Sequence, residues 1–221
     1  MTGTLNIPRP QGRTREGIAQ RLAQDIEDGY VVNLGVGIPL DVPRFIPANI
    51  EVVLHSENGV LGLGPPAEPG FEDPDLTDAG KRYATLSTGA AIVDSATSFA
   101  VIRGGALDVA VLGALQVSEG GDLSNWYVPG QNPAVGGAMD LVAGARQVWV
   151  VMEHVDRRGK PKLVTECTFP ITGRRVVKRI YTDLAVFHVA SDRLILKECA
   201  PGVAVERVRD LTGASFVEDM A

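Results

Sequence analysis

Short apolar runs of strand length alternate along this chain with segments whose apolar residues follow a helical repeat. Ile18, Leu22 and Ile26 recur every four residues and give one apolar stripe to a helix for which Thr14 is a suitable N-cap. Helices are predicted over residues 14–28, 94–103 and 206–211, and strands over residues 30–34, 52–54, 108–112, 147–152, 176–180, 185–189 and 194–196. This alternation is typical of an α/β fold, with an open, mainly parallel sheet and helices on both faces.

The length of the chain fits one domain of this kind. Its 221 residues can bury a sizeable core without disulfides or metal ions. No break in composition and no repeat of fixed period divides the sequence. We therefore expect a single domain over residues 1–221, with its ligand bound beyond the carboxyl ends of the strands.

Charge and hydropathy exclude several classes of function. The net charge is −6 and there is no basic run, so we expect neither a nucleic-acid partner nor an anionic membrane partner. No apolar stretch is long enough to cross a bilayer, and residues 1–12 lack the apolar region of a signal peptide, so we expect a cytoplasmic protein. The two cysteines and three histidines show no metal-binding spacing, so we expect no metal site.

The sharpest local feature is the segment Leu-His-Ser-Glu-Asn-Gly-Val-Leu-Gly-Leu-Gly-Pro at residues 54–65. Glu57 directly follows a predicted buried strand and lies in a turn, because Asn58-Gly59 is a strong turn pair. A glutamate in this position can be presented to a cleft with little steric cover. It can also simply face water, and on the residues alone this second interpretation is the simpler one.

Three glycine-rich segments are further candidates for a binding turn. Gly35-Val36-Gly37 and Gly62-Leu63-Gly64 resemble turns that cradle phosphates, although neither matches a dinucleotide or P-loop fingerprint. Gly136-Gly137 precedes a short helical pattern, where backbone N–H groups can point at an oxyanion. For either Gly-x-Gly segment taken alone, glycines required by a tight turn are the better interpretation, and Gly136-Gly137 can simply be a helix start that requires small residues.

Taken together and in order, these segments resemble the β subunit of class I coenzyme A transferases that act on 3-oxoacids. The resemblance covers roughly residues 14–190, and the ordered set is far more specific than any one motif. The matching pieces are VNLGVGIP at 32–39, SENG at 56–59 with Gly64-Pro65, DAGK at 78–81, IRGG at 102–105, LGALQV at 112–117, GDLSNW at 121–126 and GGAMDL at 136–141.

The resemblance implies a fold and a set of site residues. The fold is the open α/β sheet of the sugar-phosphate-isomerase and CoA-transferase type. Glu57 in SENG corresponds to the nucleophile, which forms a glutamyl–coenzyme A thioester. The resemblance also implies that the Gly137 backbone N–H supports the oxyanion and that Lys81 reaches the bound coenzyme A. Coenzyme A is then a substrate, and no other cofactor is expected.

The same resemblance implies that this chain is half of an enzyme. We expect a companion α subunit, in an α2β2 assembly, and transfer of coenzyme A from succinyl-CoA to a 3-oxoacid. Residues 133–141 and 162–168 favour 3-oxoadipate over acetoacetate or another short-chain acceptor. A less favoured alternative is an isomerase or an effector-binding protein on the same fold, in which Glu57 would be a base or a ligand contact.

Overall fold

The computed structural model describes residues 12–128, 130 and 135–220. The predicted lack of a signal peptide concerns residues 1–12, and nearly all of these lie outside the described residues. The beginning of segment 133–141, which favours 3-oxoadipate, also lies outside them. In the described part of the chain, no helix is both long enough and apolar enough to cross a membrane.

Thirteen strands and four α-helices form the described structure, together with a 3₁₀ helix over Ile38–Phe45. The helices are α1 (Arg15–Ala23), α2 (Ser95–Arg103), α3 (Ala138–Gly144) and α4 (Val205–Leu211). The strands are β1 (Val31–Leu34), β2 (Val53–Ser56), β3 (Val60–Pro66), β4 (Ala84–Ile92), β5 (Val109–Leu112), β6 (Gln116–Ser118), β7 (Leu123–Ser124), β8 (Gln147–Val151), β9 (Leu163–Val164), β10 (Val177–Tyr181), β11 (Ala185–Ala190), β12 (Arg193–Cys199) and β13 (Phe216–Glu218).

Ten of these strands form one sheet, in the order β13-β12-β11-β10-β8-β5-β1-β2-β3-β4. The central strands β2, β1, β5, β8 and β10 are all parallel to their neighbours within that set. Antiparallel pairs extend the sheet at both sides, through β3 and β4 at one edge and through β11 and β12 towards the other. The predicted α/β fold is confirmed, with its parallel part at the centre.

Helices cover both faces of the parallel strands, and there is one apolar core on each face. Leu22 of α1 packs in one core with Val32 and Trp149 from the sheet. Ile102, Leu141 and Val208, from α2, α3 and α4, belong to the core on the other face. The predicted cap is present, since Thr14 Oγ1 accepts a hydrogen bond from the Gly17 backbone N–H at 3.1 Å, although α1 ends at Ala23 and not at residue 28.

The segment around Gly62-Leu63-Gly64 differs from its prediction. In the sequence these glycines resemble a phosphate-cradling turn, with an ordinary tight turn as the simpler interpretation, but residues 60–66 form β3, which pairs antiparallel with β4. A Cβ at Gly64 would lie 3.1 Å from the Thr85 backbone, and Gly62 has a φ of +86° opposite Ala90. These glycines therefore allow β3 and β4 to approach closely, and they do not form a phosphate-binding turn.

Candidate active site

Glu57 lies in a tight turn at the carboxyl end of β2. The Gly59 N–H donates to Ser56 O at 3.0 Å and closes the turn, and the Val93 N–H donates to Gly59 O at 2.9 Å. Gly59 has a φ of +114°, and a Cβ at this position would overlap the Val93 carbonyl oxygen. Glycine is therefore required both by the backbone conformation and by the contact with the segment that leads into α2.

The Glu57 side chain is partly buried in a cleft at the carboxyl ends of three neighbouring parallel strands. Segments 34–36 at the end of β1 and 112–115 at the end of β5 line this cleft, and so do Gly136 and Gly137. The structure thus brings together the first glycine motif, the SENG turn and the glycine pair. A cleft beyond strand ends is the expected ligand position in an open α/β sheet.

Gly137 lies directly against the Glu57 carboxylate. Its backbone N–H faces the carboxylate and favours the charged form, so it lowers the Glu57 pKa. Gly137 caps α3 with a φ of −77°, a conformation that any residue can adopt, but a Cβ there would lie 2.8 Å from Glu57 Cδ and would overlap Oε2. A glycine is needed here because of this approach and not because of backbone strain.

The surroundings of Glu57 raise the pKa of its carboxyl group above the ordinary value. Partial burial is the main cause, the negative charge of Asp140 adds to it, and the Gly137 N–H opposes it. Asp140 is itself paired with Arg103, whose Nε donates to Oδ1 at 2.6 Å. A carboxylate with a raised pKa is more basic and hence a better nucleophile than one in water.

Lys81 lies beside this site, in a loop ordered by the buried Asp78. The Asp78 side chain accepts hydrogen bonds from the backbone N–H groups of Gly80, at 2.8 Å, and Arg82, at 3.0 Å. In this loop Ala79 lines the Glu57 cleft, whereas Lys81 is exposed and does not line it. The structure therefore brings Glu57 and Gly137 into contact and leaves the Lys81 side chain at the margin.

Sequence reasoning does not identify three buried polar residues behind the Glu57 turn, namely Asn33, His55 and Ser98. Asn33 and His55 occupy paired positions in the neighbouring parallel strands β1 and β2. The available signals were a polar residue inside the predicted strand 30–34 and another directly after the predicted strand 52–54. The structure also shows no group of three or more His, Cys, Asp or Glu side chains that could hold a metal ion within residues 12–128, 130 and 135–220.

Comparison with known proteins gives concordant matches over nearly the whole chain. The coenzyme A transferase family matches residues 15–211. The B subunit of 3-oxoadipate CoA-transferase from Pseudomonas putida is 50% identical over 216 residues, which are 97% of this chain and 100% of that protein. A probable B subunit of succinyl-CoA:3-ketoacid coenzyme A transferase from Bacillus subtilis is 49% identical over 203 residues, which are 91% of this chain and 94% of the other.

A solved structure shares the fold. The acyl-CoA transferase YdiF of Escherichia coli O157:H7 superimposes with a TM-score of 0.74 at 22% identity, over 95% of this chain. The matched part is 43% of the YdiF chain, so this chain spans less than half of that protein. The relatives at about 50% identity carry the assignment, and the chain belongs to the coenzyme A transferase family.

Proposed function

We propose that this chain is the catalytic β subunit of an enzyme that transfers coenzyme A between succinyl-CoA and a 3-oxoacid, with Glu57 as the nucleophile. One observation carries the proposal. The Glu57 carboxylate, with a raised pKa, faces the Gly137 N–H in a cleft at the strand ends of a CoA-transferase fold. The two relatives at about 50% identity are named as CoA-transferase subunits, and their names indicate the reaction that this geometry would catalyse.

In the first half of the proposed reaction, Glu57 attacks the thioester carbonyl of the donor. The C–S bond breaks, coenzyme A leaves as the thiolate, and Glu57 and the acyl group are joined as a mixed anhydride. The thiolate then attacks the Glu57 carbonyl carbon and releases the donor carboxylate. Glu57 now carries coenzyme A as a glutamyl thioester, and no proton has to be moved.

In the second half, the acceptor carboxylate attacks the glutamyl thioester and forms a new mixed anhydride while the thiolate leaves. The thiolate attacks the acyl carbon of the acceptor, which frees Glu57 and the product acyl-CoA. Every step passes through a tetrahedral oxyanion. In the two steps at the Glu57 carbonyl carbon this charge develops on a Glu57 oxygen, and the Gly137 N–H is a fixed donor beside it. The scheme treats coenzyme A as substrate and uses no metal or redox cofactor.

The proposed enzyme requires a companion subunit. Both relatives are named as the B member of an enzyme with more than one kind of subunit, and this chain matches only 43% of the longer YdiF chain. A separate α subunit would supply the other half and the remaining wall of the cleft. We propose an α2β2 assembly.

The proposed acceptor is 3-oxoadipate, which carries a second carboxylate far from the reacting one. A second cleft adjoins the Glu57 cleft beyond β1, β5 and β8, and three cations line it, Arg15, Arg157 and Lys162, with Glu153 as the acidic residue. The two clefts share the lining residues Val36, Gly113 and Ala114. A dicarboxylate can therefore extend from Glu57 towards these cations, whereas acetoacetate has no group to place there.

The proposed function is tested by assaying the chain with and without its companion. The chain alone should show little transfer from succinyl-CoA, and co-expression with the companion should restore turnover, with both chains co-eluting on size exclusion. For the assembled enzyme, kcat/KM should be about 10- to 100-fold higher for 3-oxoadipate than for acetoacetate, because one charged hydrogen bond distinguishes them.

Each arm of this assay has a result that contradicts it. Full activity of the chain alone would overturn the half-enzyme proposal. Equal kcat/KM values for the two acceptors would overturn the assignment of 3-oxoadipate. If the assembled enzyme transfers coenzyme A to neither acceptor, the isomerase or effector-binding alternative returns.

Lys81 is proposed to bind coenzyme A from the loop beside the cleft. Lys81→Gln removes the charge from an exposed side chain and should lower kcat/KM for the acyl-CoA about tenfold, since binding of the remote part of the substrate is used in the transition state. Lys160→Gln is the control, because Lys160 is exposed and lines neither cleft. Steady-state kinetics that give the same kcat/KM for both variants would make Lys81 an ordinary surface charge.

A further inference from the structure

We infer that Asn33, His55 and Ser98 form a hydrogen-bonded relay that fixes the backbone of Glu57 and thereby positions the nucleophile. This inference rests on the proposed role of Glu57. The three residues come from β1, β2 and α2, so the relay joins three separate elements at the point where the SENG turn begins. They do not line the Glu57 cleft and act only through Glu57.

The contacts of the relay are continuous and buried. Asn33 Nδ2 lies 2.9 Å from His55 Nδ1, and His55 Nε2 lies 3.1 Å from Ser98 Oγ. Ser98 Oγ donates to the Glu57 carbonyl oxygen at 2.9 Å. The exposed fractions are 2% for Asn33, 2% for His55 and 0% for Ser98. Buried polar networks of this kind define a single arrangement when every member is satisfied.

Donor and acceptor chemistry fixes the direction of the relay. Asn33 Nδ2 also donates to the His55 carbonyl oxygen at 3.2 Å, and because that oxygen can only accept, the amide NH₂ of Asn33 faces His55. His55 Nδ1 must then accept from Asn33, so the ring proton is on Nε2 and is donated to Ser98 Oγ. Ser98 therefore donates its hydroxyl proton to the Glu57 carbonyl oxygen, and each contact of the relay has one donor and one acceptor.

This arrangement requires a neutral His55. Protonation would place a second N–H at Nδ1, opposite the Asn33 amide donor. Burial lowers the pKa of His55 and keeps the ring neutral. While His55 is neutral, the relay has this one pattern of hydrogen bonds.

A fixed Glu57 backbone matters because the Glu57 carboxyl group takes part in each step of the proposed reaction. It is carboxylate, anhydride and thioester in turn, and it must meet the Gly137 N–H each time. A misplacement on the order of 1 Å can cost about 10²-fold in rate. The relay anchors the residue at its carbonyl, on the opposite side from the reacting group.

A second histidine, His154, also contacts a hydroxyl that is bonded to a backbone carbonyl, and this arrangement serves as a control. His154 Nε2 lies 3.0 Å from Thr212 Oγ1, which donates to the Val208 carbonyl oxygen at 2.7 Å. Here the anchored carbonyl belongs to α4 and not to the Glu57 turn. Thr212→Val and Ser98→Ala each remove one hydroxyl between a histidine Nε2 and a backbone carbonyl, so they separate a loss of stability from a loss of positioning.

The test compares both variants in the enzyme assembled with its companion. Ser98→Ala should lower kcat about 10- to 100-fold with KM values for acyl-CoA and acceptor within about twofold of wild type, because an interaction that only positions the nucleophile affects the chemical step. Formation of the glutamyl thioester without acceptor should slow by the same factor. Thr212→Val should reduce thermal stability and leave kcat unchanged.

Equal kcat values for Ser98→Ala and wild type, or equal losses in Ser98→Ala and Thr212→Val, would overturn the relay as a positioning device. Neither result affects the proposed nucleophile, because the wild-type enzyme would still form its thioester on Glu57. Absence of any thioester in the wild-type enzyme would instead contradict the proposed function itself.

Discussion

Glu57→Gln in the assembled enzyme is expected to lose transfer activity by a factor on the order of 10⁴ or more. An amide has almost the size of a carboxylate but is a far poorer nucleophile, so neither the anhydride nor the thioester can form. The fold should be unchanged, because the side chain projects into a cleft and packs in neither apolar core. The measurement is kcat, together with circular dichroism and the free energy of unfolding.

The covalent intermediate can be mapped directly. Incubation of the wild-type enzyme with acyl-CoA in the absence of acceptor should leave coenzyme A on the peptide that contains Glu57, and borohydride should reduce the thioester and abolish activity. Glu57→Asp is the matched control for position, since a carboxylate set back by one methylene should still lose about 10²-fold. An adduct on another residue, or near wild-type kcat in Glu57→Gln, would contradict the role of Glu57.

Gly137→Ala is expected to lower kcat by about 10²- to 10³-fold, the usual effect of losing an oxyanion donor. The new Cβ would overlap the Glu57 carboxylate, which is the flexible end of a side chain and will move away from the Gly137 N–H. The backbone conformation at φ −77° accepts alanine, so the free energy of unfolding should change little. Kinetics and denaturation of the same preparation check both statements.

Gly120→Ala is the control for this substitution. Gly120 has no positive φ and no atom within 4 Å of the added Cβ, and it does not line the Glu57 cleft. It should therefore leave kcat unchanged. A Gly137→Ala enzyme with wild-type kcat would remove Gly137 from the proposed oxyanion site.

The parallel core of the fold can be predicted because its signals are local. The apolar runs at 108–112 and 147–152 correspond to β5 and β8, and the helix predicted over 94–103 is α2 with Asp94 as its N-cap. The β3–β4 hairpin cannot be predicted in this way because its strands lack the usual pattern. β3 contains two glycines and two prolines, and residues 67–83 separate it from its partner, so the pairing depends on non-local contacts.

The site shows the same division between local and non-local information. Asn58-Gly59 predicts the SENG turn. Whether Glu57 faces water or a cleft depends on where α3 begins, and residues 54–65 carry no information about that position. The relay escapes prediction because Asn33, His55 and Ser98 are far apart in the sequence and meet only through strand register and the packing of α2. Lys81 is assigned to the site by resemblance, and its side-chain position cannot be derived from spacing.

The closure of the Glu57 turn at Gly59 limits how this protein can diverge. At this residue φ is positive and a backbone oxygen lies where a Cβ would be, so any other amino acid is disfavoured both by the backbone conformation and by this overlap. A related protein in which a larger residue follows Ser-Glu-Asn should therefore form a different turn. Such a protein is better classified as a relative that no longer catalyses the transfer than as a transferase with altered specificity.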